Sequence, residues 1–217
     1  MRAWYFSDES CRLGYGDGRE IAVGVTHKVD CEPVLCESGL HASVRAIDAL
    51  KYAPGQIIWR VELGGIVVDG DDKCVATERT YTAGGVDATE TLRAFARACA
   101  SDVLHLWDAP QVVVDFLATG DESIRAAAWA AAWAAARDAA EAATRDAVGD
   151  AAWAAARTAA WDAAWAADRA AVGDAAWDAA WAAAWAAAWA ADRAADRAAQ
   201  NARLESMLEA LIAENDA

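Results

Sequence analysis

Four tryptophans recur at every fourth position in the alanine-rich stretch GDAAWDAAWAAAWAAAWAADRAADRAAQ, residues 173–200. Alanine is the strongest helix former, and the chain contains no proline after Pro110. A step of four residues advances about 40° around a helix, so these indoles form a single ridge along it. The pattern therefore predicts helix from about residue 121 onward.

The heptapeptide AVGDAAW occurs at residues 147–153 and again at residues 171–177, which defines a 24-residue repeat. In one unbroken helix, successive repeats would be about 240° out of phase, and their indoles would scatter over three sides. The tryptophan ridges of successive repeats can face one another only if the chain turns between the repeats. Because glycine suits the left-handed residue after a helix and aspartate suits the N-cap of the next, Gly149 and Gly173 mark the turns.

We therefore predict an antiparallel helical bundle with helices near residues 121–148, 150–172 and 174–212. Whether the two glycines make hairpins or only kinks stays open. Alanine faces would let the helix backbones approach closely, and each buried indole would contribute about 4 to 6 kcal/mol. A ligand-stacking or partner-binding surface is the alternative role for the same indoles, which are Trp129, Trp133, Trp153, Trp161, Trp165, Trp177, Trp181, Trp185 and Trp189.

The end of the chain, NARLESMLEALIAENDA, carries an ordinary aliphatic stripe. Leu204, Leu208 and Ile212 recur at helical spacing, so this part of the last helix is expected to pack on another part of the fold or on a second subunit. A homo-oligomer is therefore one expectation, and two heptads are too few to indicate a coiled coil.

The first half of the chain has the residue variety of a small α/β module. QIIWRVEL alternates apolar and polar residues after the Pro54-Gly55 turn and predicts a half-buried strand. RAWYF, EIAVGV, GIVV and KCVATERTY predict further strands, and SVRAIDALKYA predicts a short helix. The fold class expected is α+β, with an α/β module at residues 1–86, a helical connector at 87–120 and the bundle at 121–217.

The net charge and the lengths of the apolar segments indicate which classes of partner the chain can bind. The formal net charge of −15 argues against binding to a phosphate backbone, which requires clusters of Lys and Arg. No apolar export signal opens the chain, and the longest uncharged run in the Trp-rich part, residues 179–191, is shorter than a membrane span. We expect a cytoplasmic protein of a bacterial cell that binds no membrane, with its five cysteines as free thiols.

Two groups of residues carry side chains of the kind that bind metal ions. Cys31, Cys36 and His41 are spaced by five residues, which does not fit the close cysteine pair of structural zinc, so no metal is expected. VVDGDDK contains three aspartates but lacks the downstream Glu of a calcium loop, and it predicts an acidic hairpin turn instead.

Four segments, LCESGLHAS, DALKYA, VELGG and DDKCVAT, resemble an uncharacterised family of small phage and bacterial proteins that carry a C-x-x-G-[LF]-H-A motif and alanine-rich helical tails. The resemblance covers about the first 80 residues. It implies a phage-encoded or bacterial cytoplasmic protein and carries no activity with it.

SGLHASVRAIDALKYAPGQIIWRVELGG also resembles, more remotely, the central segment of ADP-ribosyltransferases of the poly-ADP-ribose polymerase type. This resemblance implies NAD as cofactor, with His41 in place of the first motif tyrosine, although that family has Tyr there. It also implies Tyr52 as the residue that stacks on nicotinamide, His27 as the first-strand histidine and Glu78 as the catalytic carboxylate. Structural roles for all four residues are the alternative.

Three functions remain. The Trp-rich segment bears no catalytic residue types, so we expect a non-catalytic binding protein, without a cofactor, that captures a host protein or a small ligand. The alternative is an ADP-ribosyltransferase-like enzyme or an inactive descendant of one. The third is an acidic decoy that imitates DNA, although interspersed arginines break up its negative field.

Overall fold

The computed structural model of the chain describes residues 1–102, 104–106, 108–145 and 193–215. Within these residues lie five strands, β1 (Arg2–Ser7), β2 (Thr26–Lys28), β3 (Leu40–Ala42), β4 (Ile57–Asp69) and β5 (Cys74–Asp87). The same residues hold five α-helices, α1 (Ala46–Ala49), α2 (Thr89–Asp102), α3 (Gln111–Thr119), α4 (Arg125–Arg145) and α5 (Arg193–Asn215). Short 3-10 helices cover Leu50–Tyr52 and Leu104–Leu106.

The strands form one antiparallel sheet in the order β1-β4-β5-β2, and β3 pairs with β5 beside β2. The long β4–β5 hairpin is its centre, and residues 70–73 make the acidic turn that the sequence predicts. After β3, Ser43 exchanges backbone hydrogen bonds of 2.7 and 3.0 Å with Trp4 of β1. This bridge curls the sheet, so that the segment after β3 reaches the edge strand β1.

Most of the predicted strands are confirmed. QIIWRVEL and GIVV belong to the single strand β4, which continues through an irregularity between Gly64 and Val67. EIAVGV was predicted as a strand, and that prediction is wrong, because β2 begins only at Thr26. Gly24 has a left-handed φ of +85° and donates its N–H to the Tyr81 carbonyl, which turns the chain where an extended backbone was expected.

The sheet is buried on both faces. One face packs Trp4, Phe6 and Ile58 against apolar residues of α1, α2 and α5. The other face packs Trp59 and Tyr81 against the long segment between β1 and β2. β4 was expected to be half-buried, but Ile57, Ile58, Trp59 and Val61 are all buried, because the helical layer covers the side that was expected to face water.

Three polar residues spaced four apart on α5 bind the start of α1, which has no N-cap side chain of its own. Asn201 Oδ1 accepts a hydrogen bond from the Ile47 N–H at 3.1 Å. Glu205 Oε1 accepts from the Ala46 N–H at 3.2 Å and from Trp4 Nε1 at 3.1 Å. Arg197, the third of these residues, binds the Asp48 carboxylate in α1. The unsatisfied N–H groups of α1 are thus capped by a helix more than 150 residues away in sequence.

The predicted antiparallel bundle is not found in the described residues. α5 packs its aliphatic stripe, which includes Leu204, Leu208 and Ile212, on α1, α2 and β5, which confirms the prediction that the end of the chain packs on another part of the fold. This stripe finds a large apolar surface there, so the end of the chain belongs to the core of the N-terminal fold. The expected turns at Gly149 and Gly173 lie outside the described residues.

α4 also packs differently from the prediction. Its buried residues Ala128 and Ala132 lie against Phe116 and other apolar residues of α3 and α2. Trp129 and Trp133 are each 37% exposed and contact one another edge to face, with ring centroids 6.1 Å apart. Alanine forms the contact face because, without a long side chain, it lets the two backbones approach closely, and the bulky indoles are left at the margin.

None of the helices in the described part of the chain combines the length and apolar character that spanning a membrane requires.

Candidate functional site

The C-x-x-G-L-H-A segment, residues 36–42, is a tight turn followed by β3. The turn is closed by backbone hydrogen bonds between Val34 and Ser38. His41 reaches back over it, and its Nε2 accepts a hydrogen bond from the Cys36 N–H at 3.1 Å. That nitrogen is therefore unprotonated. Burial and the nearby Lys73 lower the pKa of His41, which keeps the ring neutral and suits this structural task.

Tyr52 stands beside this turn, on the 3-10 helix after α1, with 48% of its surface exposed. Its hydroxyl donates to Asp72 Oδ2 at 2.8 Å, and the Lys73 ammonium lies 4.2 Å from its ring centroid. Lys51 donates to the same Asp72 oxygen at 3.1 Å. A carboxylate and a cation–π contact thus hold an exposed aromatic ring in one orientation. We call Cys36, Lys51, Tyr52, Asp72 and Lys73 the Tyr52 surface.

The ionisation of the Tyr52 surface follows from these contacts. Burial would raise the pKa of Asp72, but hydrogen bonds from Tyr52 and Lys51 outweigh it and lower that pKa. Burial and the Asp72 carboxylate raise the pKa of Tyr52. The pKa of Lys73 is raised by its contact with the Cys36 thiol and by its other neighbours. At neutral pH the surface therefore presents a neutral phenol between a carboxylate and an ammonium.

His41 and Tyr52, two of the four residues singled out for ADP-ribosyl transfer, thus share Cys36 and Lys73 as neighbours. Glu78 lies on the part of β5 that pairs with β2, and its carboxylate binds Lys28 at 2.7 Å. His41 pairs with Val75, three residues along β5, which corresponds to about 10 Å of strand. Glu78 therefore lies about 10 Å along the strand from His41, and its carboxylate is already bound to Lys28. Of the four residues proposed for ADP-ribosyl transfer, only His41 and Tyr52 lie close together.

His27 is buried in the core and not on the Tyr52 surface. Its Nε2 lies 3.0 Å from the Glu20 carbonyl, which can only accept, so Nε2 carries the proton. Its Nδ1 is buried and has no hydrogen-bond partner among the described residues. Burial lowers the pKa of His27, with Arg19 and Arg79 acting in the same direction. The ring packs edge to face on Tyr81, which is a core position.

Sequence reasoning missed Arg79, which is 2% exposed and links this core to the motif. Its Nε and Nη2 donate to the Tyr81 hydroxyl at 3.0 and 2.6 Å, and Nη1 donates to the His41 carbonyl. Its guanidinium also stacks on Tyr5, 3.8 Å from the ring centroid. Burial raises the pKa of Tyr81 to about 12, so the phenol stays neutral as the acceptor. No signal in the strand pattern distinguishes a buried Arg79 from a solvated one.

Two further surface features lie outside the Tyr52 surface. Tyr15, flanked by Gly14 and Gly16, is fully exposed at the tip of the loop that connects the two ends of the Arg12–Glu20 bridge. An open cleft of about 590 Å³ lies where β5 meets the end of α5, lined by Gly84, Gly85, Val86, Asp87, Leu211 and Asn215.

Only some of the tryptophans predicted to form a core or interaction ridge lie in the described part of the chain. Trp129 and Trp133 lie at the exposed margin of α4. In the described part of the chain, no three His, Cys, Asp or Glu side chains come together as a metal site would require. The remaining ridge residues lie outside the described residues, namely Trp153, Trp161, Trp165, Trp177, Trp181, Trp185 and Trp189.

No protein-family model, curated protein or solved structure matches the chain.

Proposed function

We propose that the chain is a non-catalytic binding protein whose Tyr52 surface contacts a protein partner. The observation that carries the proposal is the fixed, half-exposed ring of Tyr52, held by Asp72 at 2.8 Å and by Lys73 at 4.2 Å. Tyrosine is enriched among the residues that dominate binding energy, because it offers a large contact area and few rotatable bonds. A ring that is already ordered loses little entropy when a partner covers it.

The chemistry of the surface supports binding more than catalysis. The Tyr52 hydroxyl and the His41 ring are both engaged in hydrogen bonds that hold the protein's own turns. The ring of Tyr52 is open to solvent, whereas small ligands are usually enclosed on most sides. A protein surface is therefore the occupant that fits. Lys73, which lies over the ring, favours an acidic group on that partner.

Affinity capture with the full chain from a bacterial lysate tests the proposal. We expect a stoichiometric protein whose binding is lost with Tyr52→Ala, which removes the aromatic contact, and is weaker by about tenfold or more with Lys73→Ala, which removes the cation that helps to hold the ring. Recovery is measured by mass spectrometry and the affinity by calorimetry with the purified partner.

Tyr15→Ala is the matched control, since Tyr15 is also an exposed tyrosine but lies on another loop. It is expected to retain the partner. Loss with Tyr15→Ala and retention with Tyr52→Ala would place the contact elsewhere and contradict the proposal. Capture of a DNA-binding protein that salt alone releases would favour the acidic decoy instead.

ADP-ribosyl transfer is the second candidate, because His41 and Tyr52 have Cys36 and Lys73 as common neighbours. It predicts NAD consumption that Glu78→Ala abolishes. Glu62→Ala is the control, because Glu62 is also a strand carboxylate that pairs with a cation, Arg2. Absence of NAD turnover and of any thermal shift at millimolar NAD would exclude this candidate.

A further inference from the structure

A short hairpin between β1 and β2 covers one face of the sheet. Residues 11–21 fold back on themselves through an isolated antiparallel bridge. The Leu13 and Ile21 N–H groups each donate to a carbonyl on the opposite side of this hairpin, at 2.9 and 2.8 Å. Both side chains are buried, and they pack in the core cluster that contains Trp59 and Tyr81. We call residues 11–21 the lid.

Two side-chain hydrogen bonds join the lid to β2. Arg19 Nη1 donates to the Lys28 carbonyl at 2.9 Å, and His27 Nε2 donates to the Glu20 carbonyl at 3.0 Å. An isolated two-stranded hairpin is at best marginally stable in water, so the lid keeps its shape only while it is docked. These two bonds and the two buried apolar side chains hold it on the sheet.

His27 lies beneath the lid with one ring nitrogen unsatisfied. The residue is 4% exposed, and its Nδ1 has no hydrogen-bond partner among the described residues. Asp17 and Arg19 face the ring from the lid, and Arg79 and the aromatic ring of Tyr81 face it from β5. Arg19 already engages the Asp17 carboxylate through two hydrogen bonds of 2.7 Å. A proton on Nδ1 would therefore add a third cation beside two arginines in a buried site, with no acceptor among these groups.

We propose that the lid opens in mild acid, when His27 takes up a proton, and uncovers the face of the sheet that carries Trp59 and Tyr81. Once the lid is open, water can solvate both nitrogens of the charged ring. The open form takes up the proton at the ordinary histidine pKa of about 6.5, and burial holds the pKa of His27 in the closed form below that value. The ratio of open to closed lid therefore rises by up to about tenfold between pH 7.5 and 5.5. β2 stays paired with β5, because backbone hydrogen bonds make that pairing.

Amide hydrogen exchange of the full chain, read by NMR and corrected for the intrinsic effect of pH on exchange, tests the proposal. The Leu13 and Ile21 N–H groups exchange when the lid leaves the sheet, so their protection is expected to fall by up to about tenfold between pH 7.5 and 5.5. Amides of α2, on the opposite face of the sheet, report global unfolding and are expected to be better protected at both pH values. Lid protection that does not change with pH overturns the proposal. Equal protection of the lid and α2 overturns it as well, because the lid would then open only when the whole protein unfolds.

His27→Gln identifies the group responsible, because the glutamine amide can still donate to the Glu20 carbonyl but takes up no proton. Its lid protection is expected to be the same at pH 7.5 and 5.5. His41→Gln is the matched control, since His41 is a second histidine whose pKa is lowered by burial but lies on β3, and this variant is expected to keep the wild-type fall. A His27→Gln variant that keeps the fall overturns the proposal. NMR titration of the wild-type imidazole needs no variant, and a His27 that titrates at or above about pH 6.5 in the folded chain overturns the proposal too.

Discussion

Arg197 on α5 donates a hydrogen bond of 2.6 Å to Asp48 on α1, across 149 residues of sequence. The Asp48 side chain is 2% exposed, and it also binds Arg45 and Lys51. Three cations around one buried carboxylate join the last helix of the chain to the first. The C-terminal helix is therefore part of the N-terminal fold.

Asp48→Asn should lower the free energy of unfolding by about 2 kcal/mol, because charge-assisted hydrogen bonds to a buried acceptor are lost while the volume is kept. Asp102→Asn is the control, since its pair with Arg203 is 42–48% exposed, and about 1 kcal/mol or less is expected there. Urea unfolding measures both. Equal losses in the two variants would show that the Asp48 cluster adds nothing beyond a surface pair.

Gly39→Ala should destabilise the fold by about 2 kcal/mol or more. Gly39 has a φ of +108°, and a Cβ there would lie 2.5 Å from Val75 Cγ2. Gly14→Ala serves as control, because a Cβ at that position meets nothing within 4 Å and its φ is not left-handed. Thermal and urea unfolding compare the variants. A tolerated Gly39→Ala would mean that the turn before β3 is looser than described.

The free energy of unfolding should decrease as the pH falls below about 6.5, the ordinary pKa of histidine. Burial lowers the pKa of His27 in the folded state, so the unfolded chain takes up this proton at a higher pH than the folded chain does. Acid therefore stabilises the unfolded state relative to the folded state. His41 contributes in the same direction. His27→Gln should reduce the slope of the free energy of unfolding against pH between pH 7.5 and 5.5, because it removes a group that takes up its proton more readily in the unfolded chain. An unchanged slope in His27→Gln would contradict the assignment.

The five cysteines should differ sharply toward a thiol reagent. Cys31 and Cys36 are exposed and should react within minutes. Burial raises the pKa of Cys74 to about 11 and that of Cys99 to about 12, so at pH 8 about a thousandth or less of each is thiolate. We expect these two to react only after unfolding in urea. Rapid reaction of more than three thiols in the native protein would contradict the described burial.

Local patterns predicted part of this fold. The alternation through Trp59 and Val61 predicted β4, because a strand places alternate residues on opposite faces. Residues 70–73 form the hairpin turn between β4 and β5 that VVDGDDK predicts. In each case the residues that decide the structure are neighbours in sequence.

Long-range contacts decided what local patterns missed. Asn201 and Glu205 are unremarkable as helix residues, yet they cap α1 more than 150 positions away. On α4, periodicity shows that Trp129 and Ala128 occupy different faces but not which face meets α3. In the candidate site, the resemblance drew attention to Tyr52. Asp72 and Lys73, which orient it, come from a turn predicted only as acidic.

The docking of α4 and α5 on the same body has a consequence for how this chain can evolve. α4 rests on α3 and α2, and α5 rests on α1 and α2, although residues 146–192 separate the two helices in sequence. Both helices thus cover apolar residues of the same helix, α2. A substitution in α2 that loosens these contacts would be felt on both sides of that long stretch, so selection is expected to keep the two parts of the chain matched to each other.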